Sequence, residues 1–395
     1  MASSRPRVVH LITRLDLGGA QQNTLFCVRH HDRSRFDVSL WAGSGGRLDA
    51  EARAIGGAEV RLLPWLRHPI APARDVAAVA RLAAMLEGVD VLHTHSSKAG
   101  IVGRAAARLA RVPAVVHTVH GWSFNASQPR TRRSIYVALE RLAARATDRL
   151  VCVSESDREA GIALGIGDAM EYRVLRSGID AELYAASAGA RERLRREIGC
   201  SPSTVLVGGI GNLKPQKAPL DFIEAARLAH AADARLRFVY AGDGEQREEV
   251  ERAIARASLG GTVRLLGWRD DVPDLLAALD VFLLTSRFEG LPRAALQAIA
   301  ASVPVVATDT GGIGEVIATG EDGILVPVGD SRAAAAAVVR LAADPQERQR
   351  LAAHARRRLD ASFDIRRMVG DLENLYEELL AATVPSHLGG RAVSH

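Results

Sequence analysis

The stretch Asp280-Val-Phe-Leu-Leu-Thr-Ser-Arg-Phe-Glu289-Gly290-Leu291-Pro292-Arg-Ala-Ala-Leu-Gln297 combines a strand, a turn and the start of a helix. Its first part is a run of large apolar side chains, typical of a strand that is buried on both faces. Gly290 gives the backbone freedom to turn, and Pro292 suits the first position of a helix. The stretch therefore predicts one strand–loop–helix unit of a parallel α/β sheet.

The same alternation of short apolar strands with amphipathic or alanine-rich helices continues on both sides of this stretch. Repeated strand–helix units predict doubly wound parallel sheets with helices on both faces. In the first half of the chain, strands are predicted near 7–12, 36–41, 59–63, 89–93, 114–118, 149–153 and 172–175. In the second half they are predicted near 204–209, 236–241, 262–266, 280–285, 304–307 and 323–326.

A chain of 395 residues suits two α/β domains. Small residues and turn formers follow Tyr184 and interrupt the alternation, which predicts a domain junction there. We expect a first domain over 1–180 and a second over 181–364. A helix over 365–384 is expected to cross back to the first domain, and 385–395 to form a flexible tail.

Composition narrows the class of protein. The chain is 48% hydrophobic and 25% charged, which is typical of a globular protein, and its net charge of +5, carried mainly by arginine, favours an anionic partner. Cys27, Cys152 and Cys200 are far apart and lack metal or disulfide spacing, which predicts a reducing cytoplasm. No apolar run is long enough for a spanning helix or a signal peptide, so any membrane contact is expected to be peripheral.

Ligands of open parallel sheets bind beyond the carboxyl ends of the strands, so the loops after strands are the candidate site. The helix that begins near Pro292 would offer unpaired N–H groups to a diphosphate or a sugar hydroxyl. Glu289 before this helix and Gln297 within it would bind hydroxyl groups. The alternative is that Glu289 only caps the helix and that Gln297 is a solvated helix residue.

Lysine is rare in this chain: only Lys98, Lys214 and Lys217 occur among 51 basic residues. Lys214 and Lys217 lie on the loop that follows strand 204–209, where a compact ammonium suits a phosphate. Chance survival of the two lysines is the alternative. After the first strand, the turn Gly18-Gly19 would let the backbone approach a phosphate.

Two segments rich in histidine follow strands of the first half: His93–Lys98 and His117–Trp122. His120 stands beyond the strand end and next to a glycine, where it would meet a substrate, although a lone histidine is more often structural. A metal site is not expected, because the histidines would point to different faces of the sheet with no carboxylate among them.

Taken together, these segments resemble the retaining glycosyltransferases of the GT-B fold, specifically family four, whose mark is a Glu, seven residues and a second Glu. The resemblance spans nearly the whole chain. It covers Gly18-Gly19, His120-Gly121, the Ser-Gly-Ile-Asp180 junction, Lys217, Ala241-Gly-Asp-Gly244, Gly267, Glu289-Gly290, Pro304-Val-Val-Ala-Thr308 and Gly311-Gly312 with Glu315.

The resemblance implies a retaining hexosyltransferase of the EC 2.4 class that needs no metal or other cofactor. Its donor would be a nucleotide-diphosphate sugar, and its acceptor a lipid-linked sugar or a polysaccharide of the cell surface. Glu289, Lys217 and His120 would be the catalytic residues. Donor-binding residues would be Gly18, Gly19, Asn212, Lys214, Lys217, Glu289, Gly290, Leu291, Pro292 and Gln297, and the acceptor side would hold His95, Ser96, Lys98 and Trp122. Nucleic acid is not expected as a partner.

Two positions depart from the family pattern. Gln297 replaces the second Glu, and Asn212 replaces an arginine five residues before Lys217. Glutamine still hydrogen-bonds ribose hydroxyls, whereas the loss of arginine removes a bidentate phosphate partner. We expect Lys214 to take over the phosphate contact.

Arginines recur at helical spacing in the first half, on helices that also carry apolar residues. They are Arg104, Arg108 and Arg111, followed by Arg130, Arg132, Arg133, Arg141 and Arg145. This pattern predicts docking on an anionic membrane surface, with a solvated basic face as the alternative.

Two rival functions remain open from the sequence, and a third is disfavoured. A nucleotide-sugar epimerase would bind the same donor without an acceptor. A non-catalytic nucleotide-sugar-binding protein would fit the changes at Asn212 and Gln297. A dinucleotide dehydrogenase is disfavoured, because Gly208-Gly209-Ile-Gly211 lacks the required glycine spacing.

Overall fold

The computed structural model describes residues 5–125, 128–185, 187 and 189–383. The expected tail over 385–395 lies outside these residues. The described residues form two separate sheets, of seven and six strands, in which all neighbouring strands are parallel. This is the expected α/β architecture.

The first sheet has the strand order β3-β2-β1-β4-β5-β6-β7. Its strands are β1 (Arg7–Ile12), β2 (Asp37–Gly43), β3 (Glu59–Leu63), β4 (Val91–His95), β5 (Ala114–Val119), β6 (Arg149–Cys152) and β7 (Tyr172–Val174). The helices are α1 (Gly19–His30), α2 (Asp49–Arg53), α3 (Pro72–Met85), α4 (Ser97–Ala110), α5 (Arg130–Ala144) and α6 (Glu155–Ala163). Short 3-10 helices span Ala169–Glu171 and Ala181–Tyr184.

The second sheet has the order β10-β9-β8-β11-β12-β13. Its strands are β8 (Val205–Ile210), β9 (Leu236–Ala241), β10 (Val263–Gly267), β11 (Val281–Leu284), β12 (Val305–Thr308) and β13 (Ile324–Val326). The helices are α7 (Ala190–Ile198), α8 (Pro219–Ala232), α9 (Arg247–Arg256), α10 (Val272–Ala278), α11 (Arg293–Ala300) and α12 (Ile313–Val316). Helices α13 (Ser331–Ala343) and α14 (Pro345–Arg358), a 3-10 helix (Ala361–Phe363) and α15 (Ile365–Thr383) follow.

Each sheet reverses its winding direction at one point: between β1 and β4 in the first sheet, and between β8 and β11 in the second. Ligands of doubly wound sheets bind at such points, because the loops after the two strands diverge and leave a crevice. A ligand-binding site is therefore expected in the loops after β1, β4, β8 and β11.

The last helix, α15, packs on the first sheet although it follows the second in sequence. Its apolar side chains share one core with β1, β2 and α1, where Tyr376 and Leu372 lie with Val8, Val38 and other buried residues. Helical spacing of apolar residues builds this buried face. Among the described residues, no helix combines the length and apolarity needed to cross a bilayer.

Two local predictions need correction. Strand β4 spans Val91–His95 and not 89–93, because its pairing with β1 and β5 continues to the register positions His93 and His95. The two histidines are therefore inside the strand, and they share one face because side chains two residues apart do. Pro292 is the N-cap of α11 with extended backbone angles, and the helix begins at Arg293.

Candidate functional site

Glu289, on the loop after β11, is held by two short contacts. Its Oε1 lies 2.5 Å from Nζ of Lys217 and accepts a hydrogen bond of 2.6 Å from the Ser286 hydroxyl. Its side chain is 7% exposed, and that of Lys217 is 18% exposed. Glu289 makes no capping contact with α11, so the capping alternative does not hold. The pair joins the loops after β8 and β11.

Gly290 brings this loop against the first half of the molecule. A methyl group at Gly290 would lie 2.8 Å from the backbone N of Gly121 and 2.9 Å from the carbonyl carbon of His120. Gly121 itself has φ of +97°, a conformation that favours glycine. The two glycines thus allow backbone from both sheets to meet, with the half-buried His120 at the contact.

Lys214 and Asn212 follow β8 on the same loop. The Lys214 ammonium has no hydrogen-bond or ion-pair partner among the residues that the structure describes. Burial lowers its pKa, and the nearby charge of Lys217 lowers it further. Asn212 donates from Nδ2 to the carbonyl of Leu17, 3.0 Å away, on the loop after β1. The asparagine therefore ties the two halves together, while the lysine remains free for an anion.

Gly18 and Gly19 begin α1 opposite α11. A methyl group on Gly19 would lie 3.3 Å from Cδ of Arg293, the first residue of α11. Arg293 donates to the carbonyl of Gly178, 2.9 Å away, but its Nε has no partner among the described residues. Arg293 was not among the predicted site residues. The sequence feature that could have identified Arg293 is a cation in the first turn of a helix, where the helix dipole disfavours positive charge.

Asp157, near the start of α6, is a second residue at the site that was not predicted from the sequence. Its Oδ2 would lie 3.0 Å from a methyl group at Gly290, and it accepts a hydrogen bond of 2.9 Å from Ser154. Burial raises its pKa to about 7. No motif marks Asp157, since only the folded chain brings it to the Gly121–Gly290 contact.

The remaining residues predicted to bind the donor lie on or beside α11. Gln297 donates to the hydroxyl of Tyr184, 2.7 Å away, and is half-buried, so it is not the solvated residue of the alternative interpretation. The side chains of Leu291 and Pro292 are buried. Any contact that Leu291 makes with a ligand would therefore go through its backbone.

The side chains of the residues predicted for the acceptor side all have contacts within the protein. His95 is 1% exposed, and its Nδ1 lies 3.1 Å from Nε2 of His120. Trp122 packs on Phe124 and donates to the carbonyl of Asp157. Lys98 pairs with Asp75 at 2.7 Å and also contacts the Pro69 carbonyl. Ser96 shares a hydrogen bond of 2.7 Å with Thr13.

The predicted arginine stripe on α4 is wrong at Arg104. Its side chain is fully buried and pairs with Glu140 of α5 at 2.5 Å, which joins the two helices. Arg108 and Arg111 are exposed. Helical spacing could not separate these positions, because the carboxylate that accompanies Arg104 comes from another helix.

The prediction that the histidines point to different faces is wrong for His93 and His95. Nitrogens of His10, His93 and His95 lie within 4.8 Å of one another, all buried, and no carboxylate among the described residues belongs to this group. The histidines of β4 share a face and do not diverge. Both ring nitrogens of His10 and of His93 already take part in hydrogen bonds within the protein.

Two doubly wound parallel sheets, whose loops bring cations and a carboxylate together, are the architecture of the GT-B fold. The family model described as Glycosyltransferase Family 4 matches residues 17–183, and that described as Glycosyl transferases group 1 matches residues 202–344. The chain belongs to this glycosyltransferase family, and it is a glycosyltransferase that uses a nucleotide-sugar donor.

Curated relatives and solved structures agree with this assignment. An Escherichia coli UDP-Gal:alpha-D-GlcNAc-diphosphoundecaprenol alpha-1,3-galactosyltransferase is 31% identical over 386 residues, which cover 95% of this chain and 98% of the relative. The structure of Anabaena HepE with UDP and glucose superposes with a TM-score of 0.82 at 24% identity, covering 95% and 100% of the two chains. Sucrose-phosphate synthase of Thermosynechococcus elongatus gives 0.82 at 20% identity, with 96% and 100% covered.

Proposed function

We propose that this glycosyltransferase transfers a hexose from a UDP-sugar, with retention of configuration, to a sugar carried on a polyprenyl diphosphate. The observation that carries the proposal is the pairing of Lys217 with Glu289 next to Lys214, which has no hydrogen-bond or ion-pair partner among the described residues. Gly290, which follows Glu289, brings this loop against His120. The name of the Escherichia coli relative, which aligns over nearly the whole chain, supports both the donor and the acceptor.

In this proposal, three cations receive the diphosphate. Lys217 and Lys214 would contact it from the loop after β8, and Arg293 would approach it from the start of α11. The N–H groups of Gly18 and Gly19 at the start of α1 would add backbone contacts. Fixed cations and N–H groups stabilise the charge that develops on the leaving diphosphate, so no metal ion is required.

The sugar would lie between Glu289 and His120. Glu289 is ordered by Lys217 and Ser286, and its carboxylate would accept hydrogen bonds from the sugar hydroxyls. Gly290, Leu291 and Pro292 would line the same pocket mainly through backbone. Gln297, which is oriented by Tyr184, would take the place of the family's second Glu in binding ribose hydroxyls.

A cytoplasmic enzyme that reaches a lipid-linked acceptor needs contact with a membrane surface. We propose that α5 supplies it. Ile135 is 60% exposed and Leu142 is 62% exposed, and both lie on one helical face with Ala138. These three residues are called the α5 stripe below. Exposed arginines flank it: Arg130, Arg132, Arg133, Arg141 and Arg145.

We retain the proposed domain limits of 1–180 and 181–364. They are supported by the place where the chain crosses between the sheets. Ile179 donates its N–H to the carbonyl of Phe363, 2.9 Å away, and pairs with Asp364 as a parallel bridge. The outgoing and returning segments thus run side by side at this point.

The function is tested with a panel of nucleotide sugars and a synthetic polyprenyl-diphosphate GlcNAc acceptor. We expect one UDP-hexose to raise the unfolding temperature and to be transferred without added metal and in the presence of EDTA. NMR of the product should show the anomeric configuration of the donor. Stabilisation without transfer would favour the non-catalytic alternative, and conversion of the donor without an acceptor would favour the epimerase.

A further inference from the structure

A continuous line of buried side chains connects α15 to His120. Nδ1 of His31 lies 3.0 Å from Oε1 of Glu373, and Nε2 of His31 lies 2.9 Å from Nε2 of His10. Nδ1 of His10 lies 3.0 Å from Nε2 of His95, and Nδ1 of His95 lies 3.1 Å from Nε2 of His120. We call these five residues the histidine chain.

The direction of every hydrogen bond in the histidine chain follows from its end at Glu373. A carboxylate can only accept, so Nδ1 of His31 carries a proton. A neutral imidazole has one donor and one acceptor nitrogen, so Nε2 of His31 must accept from Nε2–H of His10. Nδ1 of His10 must then accept from Nε2–H of His95, and Nδ1 of His95 must accept from Nε2–H of His120. Nε2 of His120 is therefore the protonated nitrogen.

The charge states that this argument requires are supported by the surroundings. Burial alone would raise the pKa of Glu373, but hydrogen bonds from His31 and from the N–H of Asp32 lower it overall. Burial lowers the pKa of His31, His10 and His95, which favours the neutral form of each ring. Burial and the charge of Arg293 lower the pKa of His120 to about 3.

Other groups near the histidine chain do not interrupt it. His93 bonds Tyr376 and Thr118 through its two ring nitrogens, so it contacts the chain without joining it. Arg35 pairs with the second oxygen of Glu373 at 2.8 Å, which leaves Oε1 to His31 and to the Asp32 N–H. Further charged or titratable neighbours are Arg33, Cys27, His117 and Arg293.

We propose that Glu373 is a positioning residue for His120: through His31, His10 and His95, its carboxylate fixes the tautomer of His120. Nε2 of His120 then faces the protein with its proton. Nδ1 has no hydrogen-bond partner among the described residues and keeps its lone pair for a substrate hydroxyl. The inference rests on the proposed role of His120 in sugar transfer, but the tautomer itself can be observed without any reaction.

The test is the ring ¹⁵N spectrum of the full-length protein labelled with ¹⁵N-histidine, with the His120 signals assigned by their loss in His120→Asn. Wild type should show a protonated Nε2 and an unprotonated Nδ1. Glu373→Met removes the acceptor, so His120 should show a mixture of both tautomers. Glu373→Gln still offers an oxygen to His31 and should retain the wild-type pattern.

Kinetics provide the second measurement. We expect Glu373→Met to lower kcat by about 10-fold, the lower end of the loss seen when a metal-binding histidine loses the partner that orients it, with KM for the donor unchanged. Glu377→Met is the matched control. Glu377 lies on the same helix as Glu373 and also pairs with Arg35, but it does not contact His31. If Glu373→Met does not fold, His31→Leu cuts the same chain and should give the same tautomer mixture.

Three results would overturn the proposal. The first is an unchanged His120 spectrum in folded Glu373→Met or His31→Leu, and the second is an equal decrease of kcat in Glu377→Met. The third is a stoichiometric metal ion in the purified wild-type protein. A wild-type protein that shows the expected spectrum but transfers no sugar would contradict the proposed function alone. The two failures are therefore distinguishable.

Discussion

Among the residues that the structure describes, the Lys214 ammonium has no hydrogen-bond or ion-pair partner, and only the more distant charges of Glu289 and Glu245 favour its charged form. Lys217, three residues on, is neutralised by Glu289, and most exposed arginines of the second half pair with carboxylates. A partly buried ammonium without a counter-ion is unfavourable in the free protein, since burial opposes its charge. Binding of a diphosphate would remove this cost.

We predict that Lys214→Ala weakens binding of UDP by about 10-fold or more, since a hydrogen bond to a charged group contributes about 1.5–3 kcal/mol. Isothermal titration calorimetry measures the affinity. Arg252→Ala is the control, because Arg252 lies exposed on α9 and only pairs with exposed Glu248. Equal affinities of Lys214→Ala and wild type would rule out the phosphate contact.

Asp157 predicts a pH dependence of stability. Its pKa of about 7 is above the ordinary 3.8, so between these values the folded protein binds a proton that the unfolded chain has lost. Stability should therefore fall as pH rises from about 4 to 7, by at most about 4 kcal/mol. Asp157→Asn, which stays neutral, should reduce this fall.

Urea unfolding at pH 5 and at pH 8 measures the difference for Asp157→Asn. The exposed Asp309, changed to Asn, serves as the control and should leave the wild-type difference intact. The same pH difference in Asp157→Asn and wild type would show that this carboxyl group does not carry the effect.

At the scale of elements, α4 and α5 show how one pattern of arginines divides into two roles. Arg104 faces inward and pairs with Glu140 across the two helices, whereas Arg141 and Arg145 are exposed beside the α5 stripe. A buried ion pair costs desolvation that its attraction must offset, so it fixes the packing of the helices more than their stability. Only the exposed arginines can meet a membrane.

For the α5 stripe, we predict that the protein floats with vesicles that contain anionic lipid more than with neutral vesicles. The double change Ile135→Ser and Leu142→Ser should remove most of this binding, because each buried apolar side chain contributes about 1.5–3 kcal/mol. Met170→Ser removes an apolar side chain that is even more exposed but lies outside α5, and it should have no effect. Flotation that is equal for both lipid types would contradict the docking proposal.

At the scale of the whole molecule, α15 makes the first sheet dependent on the end of the chain. Seven apolar side chains of this helix are buried: Ile365, Met368, Val369, Leu372, Leu375, Tyr376 and Leu379. At about 1.5–3 kcal/mol each they contribute about 10–20 kcal/mol, which matches or exceeds the net stability of a typical domain of about 5–15 kcal/mol.

We therefore predict that a fragment of residues 1–180 does not fold cooperatively alone but does so when a peptide of residues 365–383 is added. Near-ultraviolet circular dichroism and thermal unfolding report the transition. A peptide carrying Leu372→Asp and Tyr376→Asp should fail to rescue the fragment. Cooperative unfolding of the fragment without peptide would refute the prediction.

The order of strands and helices, and the loop and helix start from Glu289 to Gln297, could be predicted because they depend on local information. Apolar periodicity, glycine and proline positions and the scarcity of lysine are all readable along the chain. The loop sequence showed that Glu289 and Lys217 follow strands of one parallel sheet. It did not show that Ser286 and Lys217 hold Glu289 in place of a helix cap.

Tertiary structure alone decided which distant residues meet. Arg104 is buried because Glu140 of another helix reaches it, and Arg293 and Asp157 join the site because Gly290 lets the two halves touch. The contact of His31 with Glu373 spans 342 positions in the sequence. Periodicity describes which face of an element is apolar, but not which partner covers that face, so the histidine chain could be found only in the folded protein.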